Sequence, residues 1–320
     1  MTSGRSGPPG PWPALPRHTG ASVRWLVLFM VAAAGGVRGQ SLEPRAYTNT
    51  PVGMNFLIAG DTYSSGGLAT DPALPIKDAQ LRVHAPVLAY ARSLDAWGKS
   101  AKFDAIVPGG CLSGSAEVNG APQSRDVCGL IDPAFRFSVN LHGAPALSLK
   151  EFAGYRQDVI VGASLQVIAP WGQYDPTRLV NLGTNRWTVR PEIGVSKSFG
   201  ALSLELALDT SIFTTNHEFF GGKVREQDPM FSAQGHAVYQ FRNGVWAALN
   251  GTVYTGGETT LNGVRQDDRQ RASRVGATLA IPVDRRNSVK LYASSGLSVR
   301  TGTNFDTLGI AWQYRWGGGL

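Results

Sequence analysis

Long segments in which apolar and polar residues alternate at every second position dominate this chain after residue 50. In the clearest case Leu202, Leu204, Leu206 and Leu208 alternate with residues that are mostly polar or charged. Successive side chains of a β-strand point to opposite faces, so this pattern predicts amphipathic strands with one apolar and one polar face. The same alternation recurs along the rest of the chain, which is therefore predicted to be all-β.

The length of these segments narrows the fold class further. Soluble strands usually have about five or six residues, whereas tilted strands that cross a bilayer need about nine to eleven. In hydrocarbon only helices and closed barrels pair all their backbone groups, and no segment after the N-terminal region is apolar enough for a spanning helix. The sequence predicts a transmembrane antiparallel up-and-down β-barrel of about twelve strands. The predicted strands are 53–63, 80–92, 99–108, 129–142, 155–169, 185–198, 201–213, 230–242, 244–255, 273–283, 287–300 and 305–316.

The connections between the predicted strands alternate between long and short. Long connections and short turns on opposite sides are typical of outer-membrane barrels, in which the turns are periplasmic and the loops external. An even number of strands places both chain termini in the periplasm. Aromatic residues fall near many strand ends, as in the girdles that mark membrane interfaces. We therefore expect a bacterial outer-membrane location.

The N-terminal region has the pattern of a secretory signal peptide. An apolar run at 25–36 follows Arg17 and Arg24 and precedes small residues. A short membrane anchor is the alternative, but the run is far below the roughly twenty residues of a spanning helix. The expected organisation is a signal peptide at 1–39, an N-terminal periplasmic segment at 40–52 and an outer-membrane barrel at 53–320.

The charge of the chain gives no reason to expect nucleic-acid binding. The whole sequence has a formal net charge of +7. Part of that surplus comes from arginines within 1–39, which export would remove, so the mature chain is closer to neutral.

Two cysteines, Cys111 and Cys128, are the candidates for a disulfide. Exported proteins pass through an oxidising compartment, where such a bond is allowed. Closing a loop of this length contributes about 3 kcal/mol in the chain-entropy model. Two free thiols are the alternative. No histidine neighbours either cysteine, so no metal site is predicted.

The polar faces of the predicted strands carry many charged residues. Arg and Lys are costly on a lipid-facing surface, so these side chains are expected to point into the lumen. An arginine-rich lumen favours the passage of anions. Alternatively, the charges pair with one another and fill a narrow lumen. The candidate lumen-lining residues are Arg82, Arg92, Lys102, Arg136, Arg156, Arg186, Arg190, Glu192, Glu205, Asp209, Arg242, Arg274, Lys290 and Arg315.

Signals for catalysis are weak. The chain contains no G-x-S-x-G elbow. His217 and Glu218 begin like a zinc motif, but Gly221 stands where the second histidine is needed. We expect that the protein is not an enzyme and binds no cofactor. We expect His217 to be a solvated residue of a loop.

Several short stretches together resemble a known family. They are 42–56, 90–99, 132–137, 172–176 with 185–187, 225–229 and 311–316. Their sequences resemble the outer-membrane transporter family labelled "MetA-pathway of phenol degradation". The resemblance covers nearly all of 41–320 and implies an outer-membrane location and movement of small, aromatic molecules, but it brings no established site residues. One departure is the C-terminus, where Gly317–Leu320 replace the terminal aromatic residue that the assembly machinery reads in many barrels.

These observations predict a transporter or channel for small solutes, with aromatic or anionic compounds as candidates. The alternative is a structural or surface-binding barrel whose lumen is plugged, with residues 41–52 as the plug and the external loops as the functional part. The expected partners are the lipid bilayer, the outer-membrane assembly machinery and a solute that the sequence does not identify.

Overall fold

A computed structural model describes residues 43–69, 76–118, 121–299 and 302–320. The predicted signal peptide at 1–39 and the first residues of the segment at 40–52 lie outside these ranges. Within these ranges a short helix, α1, covers Leu149–Phe152. The strands are β1 (Met54–Ala69), β2 (Ile76–Ala96), β3 (Lys99–Val118), β4 (Ala121–Leu130), β5 (Ala134–His142), β6 (Val159–Ile168), β7 (Thr188–Phe199), β8 (Leu202–Phe213), β9 (Asn216–Phe219), β10 (Lys223–Gln227), β11 (Met230–Gln240), β12 (Trp246–Gly256), β13 (Thr259–Leu261), β14 (Val264–Arg265), β15 (Gln270–Pro282), β16 (Asn287–Val299) and β17 (Gly302–Gly317).

Twelve of these strands form a closed antiparallel barrel in which each strand pairs with its neighbours along the chain. The barrel closes where β1 pairs with β17 in an unbroken register from Met54↔Gly317 to Ala69↔Gly302. The twelve barrel strands are β1, β2, β3, β5, β6, β7, β8, β11, β12, β15, β16 and β17. Each corresponds to one predicted segment, so the predicted twelve-stranded barrel is confirmed.

The apolar face of the barrel strands points outward. The four alternating leucines of β8 have exposures between 37% and 51%, and Leu308 of β17 is 65% exposed. Large apolar side chains that are exposed together over a whole surface need an apolar environment. The structure therefore has the predicted orientation, in which the apolar side chains point outward toward lipid. Among the described residues, none of the helical segments is both long and apolar enough to cross a bilayer.

Aromatic side chains cluster near both ends of the outer surface. At one end Tyr314 stacks between Trp312 and Trp316, with ring-centroid distances of 6.1 and 5.6 Å. At the other end Trp171 contacts Phe135 and Trp187 edge-on. Such rings favour the boundary between hydrocarbon and water, so the two clusters mark the two edges of the apolar belt.

The two ends of the barrel differ in their connections. We call the end with the tight connections at 97–98, 200–201 and 283–286 the short-turn end, and the opposite end the long-loop end. At the long-loop end, β9, β10, β13 and β14 form a separate four-stranded sheet. Its residues Phe219 and Leu261 are buried and pack with Leu179 of the loop between β6 and β7.

The segment from 109 to 142 differs from its prediction. It was predicted as a long loop followed by a strand from 129, but β3 continues to Val118 and β4 returns beside it as a hairpin. The predicted strand is interrupted at 131–133, because β4 and β5 pair with different halves of β3. Pro133 lies in this break, where the lack of an N–H costs no ladder bond. Cys111 and Cys128 face each other across the β3–β4 hairpin and form a disulfide.

Candidate functional site: the barrel lumen

The lumen encloses a cavity of about 950 Å³. This volume lies at the upper end of the roughly 300–1,000 Å³ found for small-molecule sites. The cavity is lined by eight cationic side chains and four acidic ones. The cationic residues are Arg45, Lys102, Arg136, Arg186, Arg190, Arg274, Lys290 and Arg315, and the acidic residues are Glu43, Asp104, Asp132 and Asp284.

Ten of the fourteen predicted lumen residues have inward-facing side chains. Seven of them are cationic and line the cavity. Glu192 and Glu205 line a smaller enclosed pocket beside it, and Asp209 is buried at 3.7 Å from Arg190. Whether these side chains contact a solute remains a prediction.

The prediction was wrong for the other four. Arg82 and Arg92 are exposed, because the inward positions of β2 are the alternate ones, which include Val83 and Ala91. Both faces of β2 contain apolar residues, so alternation alone did not give the facing of this strand. Arg156 and Arg242 are also exposed, but they lie in connections at the short-turn end rather than in strands.

A cluster of charged side chains lies on the wall formed by β3 and β5. Arg136 pairs with Glu43, and its Nε donates to Asp104 Oδ2 at 3.1 Å. Lys102 Nζ lies 3.7 Å from the same carboxylate. Lys290, on β16, lies within electrostatic range of Glu43 and Arg136. The five side chains carry three positive and two negative charges, so the cluster has a net charge of +1.

The N-terminal segment enters the lumen from the short-turn end. Tyr47 is 7% exposed, and its hydroxyl donates to Glu192 at 2.8 Å. The Arg45 backbone N–H donates to Glu205 at 2.7 Å. Gly162 and Gly194 are paired on β6 and β7, and a Cβ at either would lie within 2.4 Å of the Tyr47 ring. The ring therefore fills a space that exists only because both positions are glycine.

A loop at the long-loop end folds inward over the cavity. We call residues 169–187 the inward loop. Its Leu182 is 1% exposed and packs against Leu112 and Phe305 on the inner faces of β3 and β17. The Asp132 carboxylate accepts hydrogen bonds from Gly172 N and Thr184 N, both at 2.9 Å, and so holds the two ends of the loop together.

One arginine of the inward loop and one of the four-stranded sheet lie over aromatic rings. The Arg186 guanidinium lies over the Phe213 ring at 4.3 Å, and that of Arg225 lies over Phe219 at 5.3 Å. Arg225 is 5% exposed, and burial lowers its pKa to about 10. Cation–π contacts offset part of the cost of burying such groups. Positive charge therefore also lies at the long-loop end of the cavity.

The sequence reasoning missed the apolar part of the lumen. We call Ile58, Val87, Ala89, Ala91 and Ala311 the apolar wall; all five line the cavity on β1, β2 and β17. The sequence feature that could have indicated the apolar wall is the presence of small residues on both faces of β2. The interaction between Tyr47 and the barrel was missed as well, although paired inward glycines would have indicated an inserted side chain.

The barrel fold of this chain is similar to that of solved outer-membrane proteins. The crystal structure of the COG4313 outer membrane channel from Pseudomonas putida F1 superposes with a TM-score of 0.74 at 21% identity, covering 86% of this chain and 100% of that one. The transport unit of the autotransporter AIDA-I from Escherichia coli gives 0.51 at 8% identity, covering 92% and 97%. These likenesses concern the fold, which is that of the outer-membrane β-barrels.

The family follows from the sequence itself. The family model described as "Putative MetA-pathway of phenol degradation" matches residues 60–314. The chain belongs to this family, and the resemblance drawn from its short stretches is confirmed. The comparison with curated proteins gives no match.

Proposed function

We propose that this protein is an outer-membrane channel that passes small anionic solutes, including aromatic ones, through the barrel lumen. The observation that carries the proposal is the cationic surplus among the side chains that line the cavity. Fixed positive charge in a narrow passage favours anions. The similar fold of a Pseudomonas putida outer membrane channel supports the same function.

The proposal includes an orientation. The short-turn end and both termini face the periplasm, as the connection lengths of outer-membrane barrels indicate. The chain is exported with the segment 1–39 removed and is inserted by the outer-membrane assembly machinery. No catalytic step is assigned to any residue.

Ion selectivity in planar bilayers tests the channel. With a KCl gradient across the membrane, we expect a reversal potential that is displaced from zero toward the equilibrium potential of chloride. Replacement of Arg190 and Arg274 by Gln should move that potential toward zero, because two inward charges are removed. A protein that shifts on a heat-modifiability gel, and is therefore folded, but that passes neither ions nor aromatic acids would overturn the proposal.

A second function is favoured by a specific observation. The N-terminal segment and the inward loop narrow the lumen from both ends, and the four-stranded sheet projects a folded surface at the long-loop end. A structural or surface-binding barrel would have these features. Deletion of β13 and β14 distinguishes the two: loss of surface binding with unchanged conductance favours this second function, and altered conductance favours the channel.

A further inference from the structure

We infer that the lumen contains a binding site for an amphiphilic monocarboxylate, formed by Lys102 and Lys290 on either side of the apolar wall. This inference rests on the proposed function and names the class of solute. It follows from three observations: an unmatched charge, an adjoining apolar surface and a free volume between them.

The unmatched charge belongs to Lys290. Among the described residues, no carboxylate lies within 4.0 Å of its ammonium group; instead Nζ lies 5.8 Å from the centroid of the Tyr292 ring. The neighbouring cluster of Lys102, Asp104, Arg136 and Glu43 is paired internally. With Lys290 included, these five side chains carry one more positive charge than negative charge, which a monoanion beside Lys290 would balance.

The apolar wall directly adjoins Lys290. In the barrel register Lys290 of β16 is paired with Ala311 of β17. Ala311 is also paired with Gly60 of β1, and Gly60 is paired with Val87 of β2. On the next inward row Ile58 is opposite Ala89. These positions present only small or aliphatic groups, so they form a recess and offer a solute no side-chain hydrogen-bond donor.

Lys102 lies beyond the other edge of the same wall. It is two residues from Asp104, which is opposite Ala91 in the register of β2 and β3. Lys102 and Lys290 are close enough to interact electrostatically, although three strands separate β3 from β16. A compact apolar body against the wall would therefore place a carboxylate within reach of both ammonium groups.

The chemistry of the surfaces selects the ligand class. A carboxylate recovers the hydration that a lysine loses in a narrow lumen, since charge-assisted hydrogen bonds are the strong ones. An apolar body gains free energy by leaving water for the wall. A small inorganic anion meets only the first condition, and a neutral aromatic compound meets only the second. An aromatic or short aliphatic monocarboxylate meets both.

Calorimetry on the detergent-solubilised full-length barrel tests the site with benzoate, benzamide and acetate as probes. We expect benzoate to bind at least tenfold more tightly than benzamide, which has the same ring without the charge, and than acetate, which has the charge without the ring. Equal binding of benzoate and benzamide, or of benzoate and acetate, would overturn the inference.

Substitution locates the site. Lys290→Met should weaken benzoate binding about tenfold to a hundredfold, whereas Lys150→Met, the same change on an exposed residue of α1, should leave it unchanged. Ala89→Leu fills the recess and should weaken benzoate binding but not acetate binding. A heat-modifiability gel checks that each variant is folded. Unchanged benzoate affinity in folded Lys290→Met would overturn the inference.

The two proposals fail in different ways. A barrel that conducts chloride but does not bind benzoate overturns this site and leaves the channel intact. A barrel that binds benzoate in detergent but conducts nothing in a bilayer overturns the channel and supports the site.

Discussion

Single residues determine how the N-terminal segment occupies the lumen. The Tyr47 ring covers Gly162 and Gly194, and its hydroxyl donates to Glu192. Only a residue without a Cβ allows a ring to lie against the strand at this distance, so the two glycines and the tyrosine form one unit. The segment is held by this side-chain fit together with the ion pair of Glu43 and Arg136.

Gly162→Val should expel the ring and widen the passage. A Cβ at position 162 would lie 2.1 Å from Tyr47 Cδ1, so the ring must move out of this space. We expect a higher single-channel conductance in planar bilayers. Gly251→Val is the matched control, because a Cβ at Gly251 meets nothing within 4 Å. Equal conductance of folded Gly162→Val and the unmodified protein would show that the segment does not limit flow.

At the scale of elements, the inward loop and the β3–β4 hairpin each include a contact that one substitution or reduction can remove. The loop has no regular secondary structure, and the Asp132 carboxylate bonds both of its ends. Among the described residues β4 pairs only with β3, and the disulfide joins the third of their ten residue pairs, near the barrel end of the hairpin. Each element therefore depends on a short list of contacts that substitution can remove.

Asp132→Ala should release the inward loop. Hydrogen bonds to a buried carboxylate contribute about 1.5–3 kcal/mol each, and three of them are lost with this side chain. We expect protease cleavage within 169–187 and a noisier, larger current. Asp175→Ala is the control, because that carboxylate bonds Thr177 within an exposed turn of the same loop. A loop equally resistant in both variants would contradict the role assigned to Asp132.

Reduction of the Cys111–Cys128 disulfide should loosen the hairpin and leave the barrel intact. The bond closes a loop of seventeen residues, for which loop closure contributes about 3 kcal/mol. After reduction we expect protease cleavage within β4 to increase, while the heat-modifiability shift stays unchanged. Loss of the shift on reduction would mean that the bond stabilises the whole barrel.

At the scale of the whole molecule, the lipid-facing belt is the main constraint. Leu206 lies near the middle of β8, is 50% exposed, and belongs to a face with no charged residue. Charges at the inward positions of the same strand, Glu205 and Asp209, are instead paired with cationic or N–H groups. The barrel thus separates apolar from charged residues across a single strand.

Leu206→Arg should lower the free energy of unfolding by about 2–4 kcal/mol, the cost of Arg at the bilayer midplane. Urea titration in lipid vesicles, followed by tryptophan fluorescence, measures it. Val264→Arg is the control, because Val264 is exposed on the separate sheet at the long-loop end. Similar effects of the two substitutions would argue against a lipid-facing β8.

The sequence predicted the barrel better than its lumen, for a physical reason. Neighbouring residues alone indicate which face of a strand points to lipid where one face is clearly apolar, as on β8 from Leu202 to Leu208. On β2 both faces have apolar residues, so Arg82 and Arg92 were assigned to the wrong face. The fit of Tyr47 against Gly162 and Gly194 joins positions more than 100 residues apart, which no pattern of neighbours records. The same applies to the ion pair of Glu43 and Arg136.

The seam between β1 and β17 determines when this chain can become a barrel. Its two strands come from opposite ends of the sequence, and loop-closure entropy must be overcome before such distant segments gain any contact energy. Until the last strand has been made and exported, β1 keeps one unpaired edge. Folding therefore follows synthesis rather than accompanying it, and a chain shortened by one C-terminal strand would lose the closure of the ring along with the strand.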